Sequence, residues 1–178
     1  MLKMRRCVFS LYQEMYFLMN VEWRYQMTII ETNGAEETRV FGKKMGQEAK
    51  SGEVIALLGD LGVGKTVFTK GFAEGLEITE PINSPTFTIL QSYDSGRIPL
   101  YHFDVYRIGD VEEMDEIGYE DCFYGDGVSL VEWAGLITEI LPQDVIAVRI
   151  EKDPEKGFDY RRITVEQGIN NIDWTKER

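Results

Sequence analysis

Cysteine and histidine are almost missing from this chain of 178 residues, which holds two cysteines, Cys7 and Cys122, and one histidine, His102. A disulfide framework and a closed zinc site both need more of these ligands at regular spacing, so both are excluded. That usage fits a reducing compartment, and a cytoplasmic location is expected. Long apolar runs are missing too. None exceeds the length of Val54-Ile55-Ala56-Leu57-Leu58, far short of the roughly 20 residues that span a bilayer, and a soluble protein is expected. Bases are scarce: 19 Lys and Arg face 31 Asp and Glu, a net charge of −12. Four bases and two acids fall in residues 1–26, leaving 15 bases against 29 acids, or −14, for residues 27–178. A body so acidic repels a phosphate backbone, so a direct grip on nucleic acid is not expected.

What is present suffices for one packed domain. Hydrophobic residues make up 43% and aromatics 12%, enough to offset chain entropy over this length. The opening segment has a basic start, but Gln13 and Glu14 break its apolar stretch, which argues against a signal peptide. Residues 1–26 are read as an extension outside the fold, 27–167 as the domain and 168–178 as a polar tail that frays.

Within the domain the hydrophobic period alternates between strand and helix. A short strand at 28–31 leads to Asn33 and Glu36, which read as a helix start; Thr38, Phe41, Met45 and Ala49 then recur on one face, and the helix ends near Gly52. The apolar run up to Leu58 reads as a strand buried on both faces of a parallel sheet. A second helix carries Phe68, Phe72 and Leu76, with Gly75 near its end. Residues 86–90 and 98–106 alternate around the turn Asp94-Ser95-Gly96 and read as an antiparallel hairpin. Asp110 and Glu113 start a short helix closed by Gly118, 128–131 is another buried strand, and 145–151 with 161–166 form a final antiparallel pair. The expected fold is α/β, a three-layer arrangement with a parallel core, some antiparallel strands and helices on both faces.

Between the buried strand and the second helix stands Gly59-Asp60-Leu61-Gly62-Val63-Gly64-Lys65-Thr66, which fits the phosphate-loop pattern G-x-x-x-x-G-K-T and makes the expected sheet one like that of P-loop NTPases. Glycines let the backbone wrap a phosphate, and amides at the helix start favour anions. Lys65 would neutralise β- and γ-phosphates, and Thr66 would offer its hydroxyl to Mg²⁺. The same pattern also arises by chance in a turn before a helix.

Magnesium needs an acidic partner on a neighbouring strand. Asp104 ends the run Leu100–Asp104 and Glu132 ends Val128–Glu132; either could hold the metal, and the other could orient water, although a solvated acid at a strand end reads the same way. His102 reads as a hydrogen-bonded structural residue rather than a catalytic base. Trp133 is either core or a lid over the metal. Nine acids and a single base, Arg107, fall between 104 and 126; such a segment is by default a solvated face, and could also dock a basic partner.

Absent motifs narrow the choice. No Asn precedes a Lys, so guanine-reading N-K-x-D is missing and ATP is the better nucleotide. A small-molecule kinase is weakened, because no helical lid is apparent to carry Arg97, Arg107, Arg149, Arg161 or Arg162 over the phosphates. A nucleotide-dependent docking module that does not hydrolyse ATP stays open as the alternative outside enzymology. The S-G-G-Q signature of transporter ATPases is absent.

Taken together, GDLGVGKT, Ser84-Pro85-Thr86-Phe87-Thr88, Tyr101-His102-Phe103-Asp104-Val105-Tyr106-Arg107 and Leu130-Val131-Glu132-Trp133 resemble, in order and spacing, the TsaE (YjeE) family over residues 27–165. The resemblance implies a bacterial ATPase needed for the threonylcarbamoyladenosine modification of tRNA, working with TsaD and TsaB. It implies that Lys65 and Thr66 bind phosphates and Mg²⁺, that Glu132 is a metal-site acid, and that Asp104 supports the metal or the water. Thr86 would lie in a switch-like loop near the γ-phosphate, Trp133 beside the metal, and Thr38 by the base. An acidic tRNA-modification factor would then contact proteins rather than tRNA, and would turn over slowly alone because a partner completes its cycle.

Overall fold

The computed structural model describes residues 27–177; the extension expected at 1–26 lies outside them. Seven strands are found there: β1 Thr28–Thr32, β2 Val54–Leu58, β3 Leu90–Tyr93, β4 Leu100–Asp104, β5 Val128–Glu132, β6 Ile146–Lys152 and β7 Arg161–Gln167. They form one sheet in the order β1-β7-β6-β2-β5-β4-β3. The four central strands β6, β2, β5 and β4 run parallel, and antiparallel pairs close the two sides. Every residue of β2 is buried, as its unbroken apolar run requires of a strand with parallel neighbours on both sides and layers on both faces.

Helices cover both faces, as expected. Helix α1 (Ala35–Glu48) and helix α2 (Lys65–Gly75) lie on one, where Phe41, Met45, Phe68 and Phe72 pack on Ile55, Leu57, Leu130 and Val148. Alternate residues of the same strands, including Ala56, Leu58 and Val131, face the other layer. There helix α3 (Glu113–Ile117), helix α4 (Tyr119–Phe123) and a 3-10 turn at Ala134–Ile137 contribute Met114, Phe123 and Ile137. Among the described residues no helix is long and apolar enough to cross a membrane.

The two long helices touch backbone to backbone. A Cβ on Gly46 would come within 2.0 Å of Phe72 O, one on Gly71 within 2.0 Å of Arg39 O, and one on Gly75 within 2.1 Å of Lys43 O. This seam seats the helix that follows the phosphate loop firmly against α1, and the Phe68 ring, 6.1 Å from Phe41 and from Phe72, fills the space beside it. The pattern Phe68, Phe72, Leu76 locates the apolar stripe but not the glycine stripe, because a residue without a side chain leaves no mark in a hydrophobic period.

Local differences have plain causes. Helix α1 stops at Glu48, and the acid that reaches back to Asn33 N is Glu37, at 2.7 Å, because Glu36 pairs with Arg39. The hairpin exists, but its first strand begins at Leu90. Residues 86–89 form a turn in which Thr88 N and Ile89 N both donate to Pro85 O. Packed structure also continues past 167: Ile172 is buried and Trp174 packs against the second core layer, while Arg149 donates to Asp173 O. The short acidic helix is as expected, with Glu113 Oε1 accepting from Gly109 N and Asp110 N and Gly118 closing it at φ 73°.

Candidate active site

Parallel strands end together, so the loops beyond β2, β4 and β5 meet at one edge of the sheet, where open α/β sheets bind ligands. Register fixes the acids: Asp104 is the Cα partner of Glu132, and Glu132 is also that of Leu57, two residues before the glycine-rich loop. Both acids are nevertheless nearly buried, at 3% and 5% exposure.

The loop from Gly59 to Thr66 needs glycine where the sequence has it. Gly59, Gly62 and Gly64 have φ of 134°, 75° and 115°, and a Cβ on Gly59 would lie 2.3 Å from Ile150 O. Gly64 begins helix α2 with no side-chain cap, which leaves the first amides of the helix available to an anion. Arg161 on β7 holds the loop from outside through Nε to Val63 O, 2.6 Å. Lys65 Nζ donates to Gly59 O at 2.6 Å and Asp60 O at 3.2 Å and lies 4.6 Å from the centre of the Trp133 ring. Trp133 keeps φ at 64°, a left-handed conformation that is costly for a bulky residue and clusters at functional sites.

One cavity of about 530 Å³ gathers the expected residues: Gly62, Gly64, Lys65 and Thr66 from the loop, Thr86 with Ser84, the acids Asp104 and Glu132, and Trp133. Leu61 also reaches it, and is 88% exposed. Gly59, Asp60 and Val63 line a separate cleft of about 310 Å³ with Arg149 and Lys152 on the far side of the loop. Thr38 is at neither. It is buried at the start of α1, its hydroxyl 2.9 Å from that of Thr32.

Three further residues belong to the arrangement. Ser84 Oγ donates to Asp104 Oδ2 beside Thr86. Tyr106 donates its amide to Asp104 Oδ1 and sets its ring 5.0 Å from that of Trp133. His102, read from the sequence as structural, places Nε2 3.1 Å from Glu132 Oε1. Ser84 and Tyr106 lie inside quoted motifs, at two residues from Thr86 and from Asp104, yet spacing alone does not say which neighbour turns inward.

The donor set is all oxygen: a threonine hydroxyl and two carboxylates around one cavity. No group of three or more His, Cys, Asp or Glu that could hold a metal occurs among the described residues. Two carboxylates and a hydroxyl are the kind of oxygen donors that Mg²⁺ takes, its shell being completed by phosphate and water. Of the nine acids between 104 and 126, Asp104 alone is buried. The lone base there, Arg107, stacks 4.4 Å over Phe87 beside the Thr86 turn.

Comparison with known proteins gives one consistent result. A family model described as "Threonylcarbamoyl adenosine biosynthesis protein TsaE" matches residues 32–163. The protein named "tRNA threonylcarbamoyladenosine biosynthesis protein TsaE" in Bacillus subtilis is 52% identical over 133 residues, 75% of this chain and 81% of that relative. Its namesake in Treponema pallidum is 41% identical over 119 residues, 67% of this chain and 87% of that relative. The crystal structure of Bacillus subtilis YdiB superposes with a TM-score of 0.69 at 44% identity, covering 81% of this chain and 86% of that one.

Proposed function

The chain belongs to the TsaE family, and from that premise we propose that it binds and hydrolyses ATP with Mg²⁺ in the making of threonylcarbamoyladenosine on tRNA. The observation that carries this reading is the single cavity shared by Lys65, Thr66, Thr86, Asp104 and Glu132. The amides of Gly62, Gly64, Lys65 and Thr66 bind the phosphates at the start of α2. Lys65, held by two loop carbonyls, exchanges one of them for a phosphate oxygen. Thr66 and Glu132 hold the metal, and Asp104, whose oxygens already accept from Ser84, Thr86 and Tyr106, fixes the Thr86 turn against the site. An ion held there would supply charge neutralisation to the phosphates. Trp133 covers Lys65 on one side of the cavity, with the Tyr106 ring against its own.

TsaD and TsaB are the proposed protein partners. The eight exposed acids between 110 and 126 favour a protein surface over a phosphate backbone as the point of contact. Phosphate release by wild type, Lys65→Ala, Thr66→Ala, Asp104→Ala and Glu132→Ala, with and without TsaD and TsaB, tests the reading. Slow turnover that partners accelerate and every substitution depresses is expected. Unimpaired turnover in Lys65→Ala would overturn it, and transfer of the γ-phosphoryl to a small acceptor would make the protein a kinase instead.

A further inference from the structure

His102 is 1% exposed and shares a strand face with Leu100 and Asp104. Nε2 lies 3.1 Å from Glu132 Oε1. Nδ1 is the one buried side-chain nitrogen or oxygen without a hydrogen-bond partner among the described residues. An imidazole facing a carboxylate at that distance carries its proton on Nε2 in either charge state, so the ring donates to Oε1. Packing alone does not ask for such a ring. Of its neighbours on this face Leu100 and Leu130 are apolar, while Gln91 and Asp104 are polar but leave Nδ1 without a partner, and a bare buried nitrogen is unfavourable where leucine would carry none.

The two acids are held in different ways. Asp104 accepts from two hydroxyls and an amide, which fix its plane without help from His102. For Glu132 the histidine takes Oε1 and leaves Oε2 for a cation. Glutamate has one more rotatable bond than aspartate, so its anchor decides how much of the time the carboxylate stands in the metal position.

We propose that His102 is a positioning residue that locks the Glu132 side chain in its metal-holding orientation through the Nε2–H to Oε1 bond. This rests on the reading of Glu132 as a metal-site acid. The effect is on ion affinity first and on turnover only through it.

Binding of Mn²⁺, followed by its electron paramagnetic resonance signal in the presence of ADP, tests the proposal on the full chain. His102→Leu is expected to weaken Mn²⁺ binding by about 10- to 100-fold, while ADP binding without metal and the near-ultraviolet circular dichroism stay as in wild type. His102→Gln, whose amide nitrogen sits at the same reach as Nε2, is expected to recover most of the loss, and His102→Asn, whose amide falls short, is not. In a Glu132→Gln background His102→Leu should add no further weakening. Equal Mn²⁺ affinity in wild type and His102→Leu overturns the proposal, as does a His102→Gln variant no better than His102→Asn; the Gln and Asn pair decides the matter if the leucine variant does not fold. Failure of wild type itself to bind Mn²⁺ with ADP would overturn the metal-site reading as well.

Discussion

Thr86 Oγ1 donates to Asp104 Oδ2 at 2.5 Å, tying the turn before β3 to the end of β4. A hydrogen bond to a charged acceptor contributes roughly 1.5–3 kcal/mol, so this bond sets how the turn stands over the phosphate site. Thr86→Ala should lower kcat about 10- to 100-fold, the rate equivalent of that energy, with a much smaller change in KM. Thr86→Ser, which keeps the hydroxyl, should remain close to wild type. Steady-state phosphate release at saturating ATP checks both.

Trp133 reports on the site by its position over Lys65. Movement of that ammonium toward a phosphate changes the charge against the indole ring. Intrinsic fluorescence should therefore change on addition of ATP with Mg²⁺, and Trp133→Phe should abolish the change although Trp23 and Trp174 remain. A nucleotide-dependent signal of full size in Trp133→Phe would contradict this placement.

Two glycines with positive φ should differ sharply on substitution. Gly118→Ala meets open space and should cost about 1 kcal/mol, the strain of a left-handed residue alone. Gly59→Ala adds a collision with the Ile150 carbonyl and should cost several kcal/mol, about 3 or more, and weaken ATP binding with it. Urea unfolding midpoints and nucleotide titrations separate the two cases.

Strand β1 should loosen in acid. The hydrogen bond from Lys156, and then that from Tyr160, holds the Glu31 carboxylate below its ordinary value of 4.5. A depressed carboxylate contributes stability that is complete above that ordinary value and is lost as pH falls through the lower folded one. Melting temperatures of wild type and Glu31→Gln should differ above pH 5 and converge as the pH drops below 4.5. A difference that grows in acid would contradict the sign.

Strand and helix positions were legible because burial follows hydrophobic period. Phe41, Met45, Phe68 and Phe72 fall where their spacing puts them, and the all-apolar run of β2 proved central. The phosphate loop and the two strand-end acids were legible because that chemistry demands fixed residue types beside fixed elements. The turn at 86–89 was not: its residues alternate like a strand, and what bends them is Asp104, eighteen residues away from Thr86. His102 was legible as a hydrogen-bonded residue but its partner was not, since Glu132 lies thirty residues on and no local pattern reports a contact across strands. The end of the chain looked polar because Ile169, Ile172 and Trp174 are scattered among polar residues, and it takes the Arg149 bond to Asp173 to help lay them down.

The strand order carries a consequence for synthesis. Strand β2 bears the phosphate loop, yet both its neighbours, β5 and β6, come more than seventy residues later in the chain, and β1 finds its partner only in β7. A ribosome-bound chain therefore exposes the loop long before the sheet that shapes it exists. Nucleotide affinity should emerge abruptly once β5 and β6 are free to pair with β2, and a nascent chain stalled before residue 128 should have none of it.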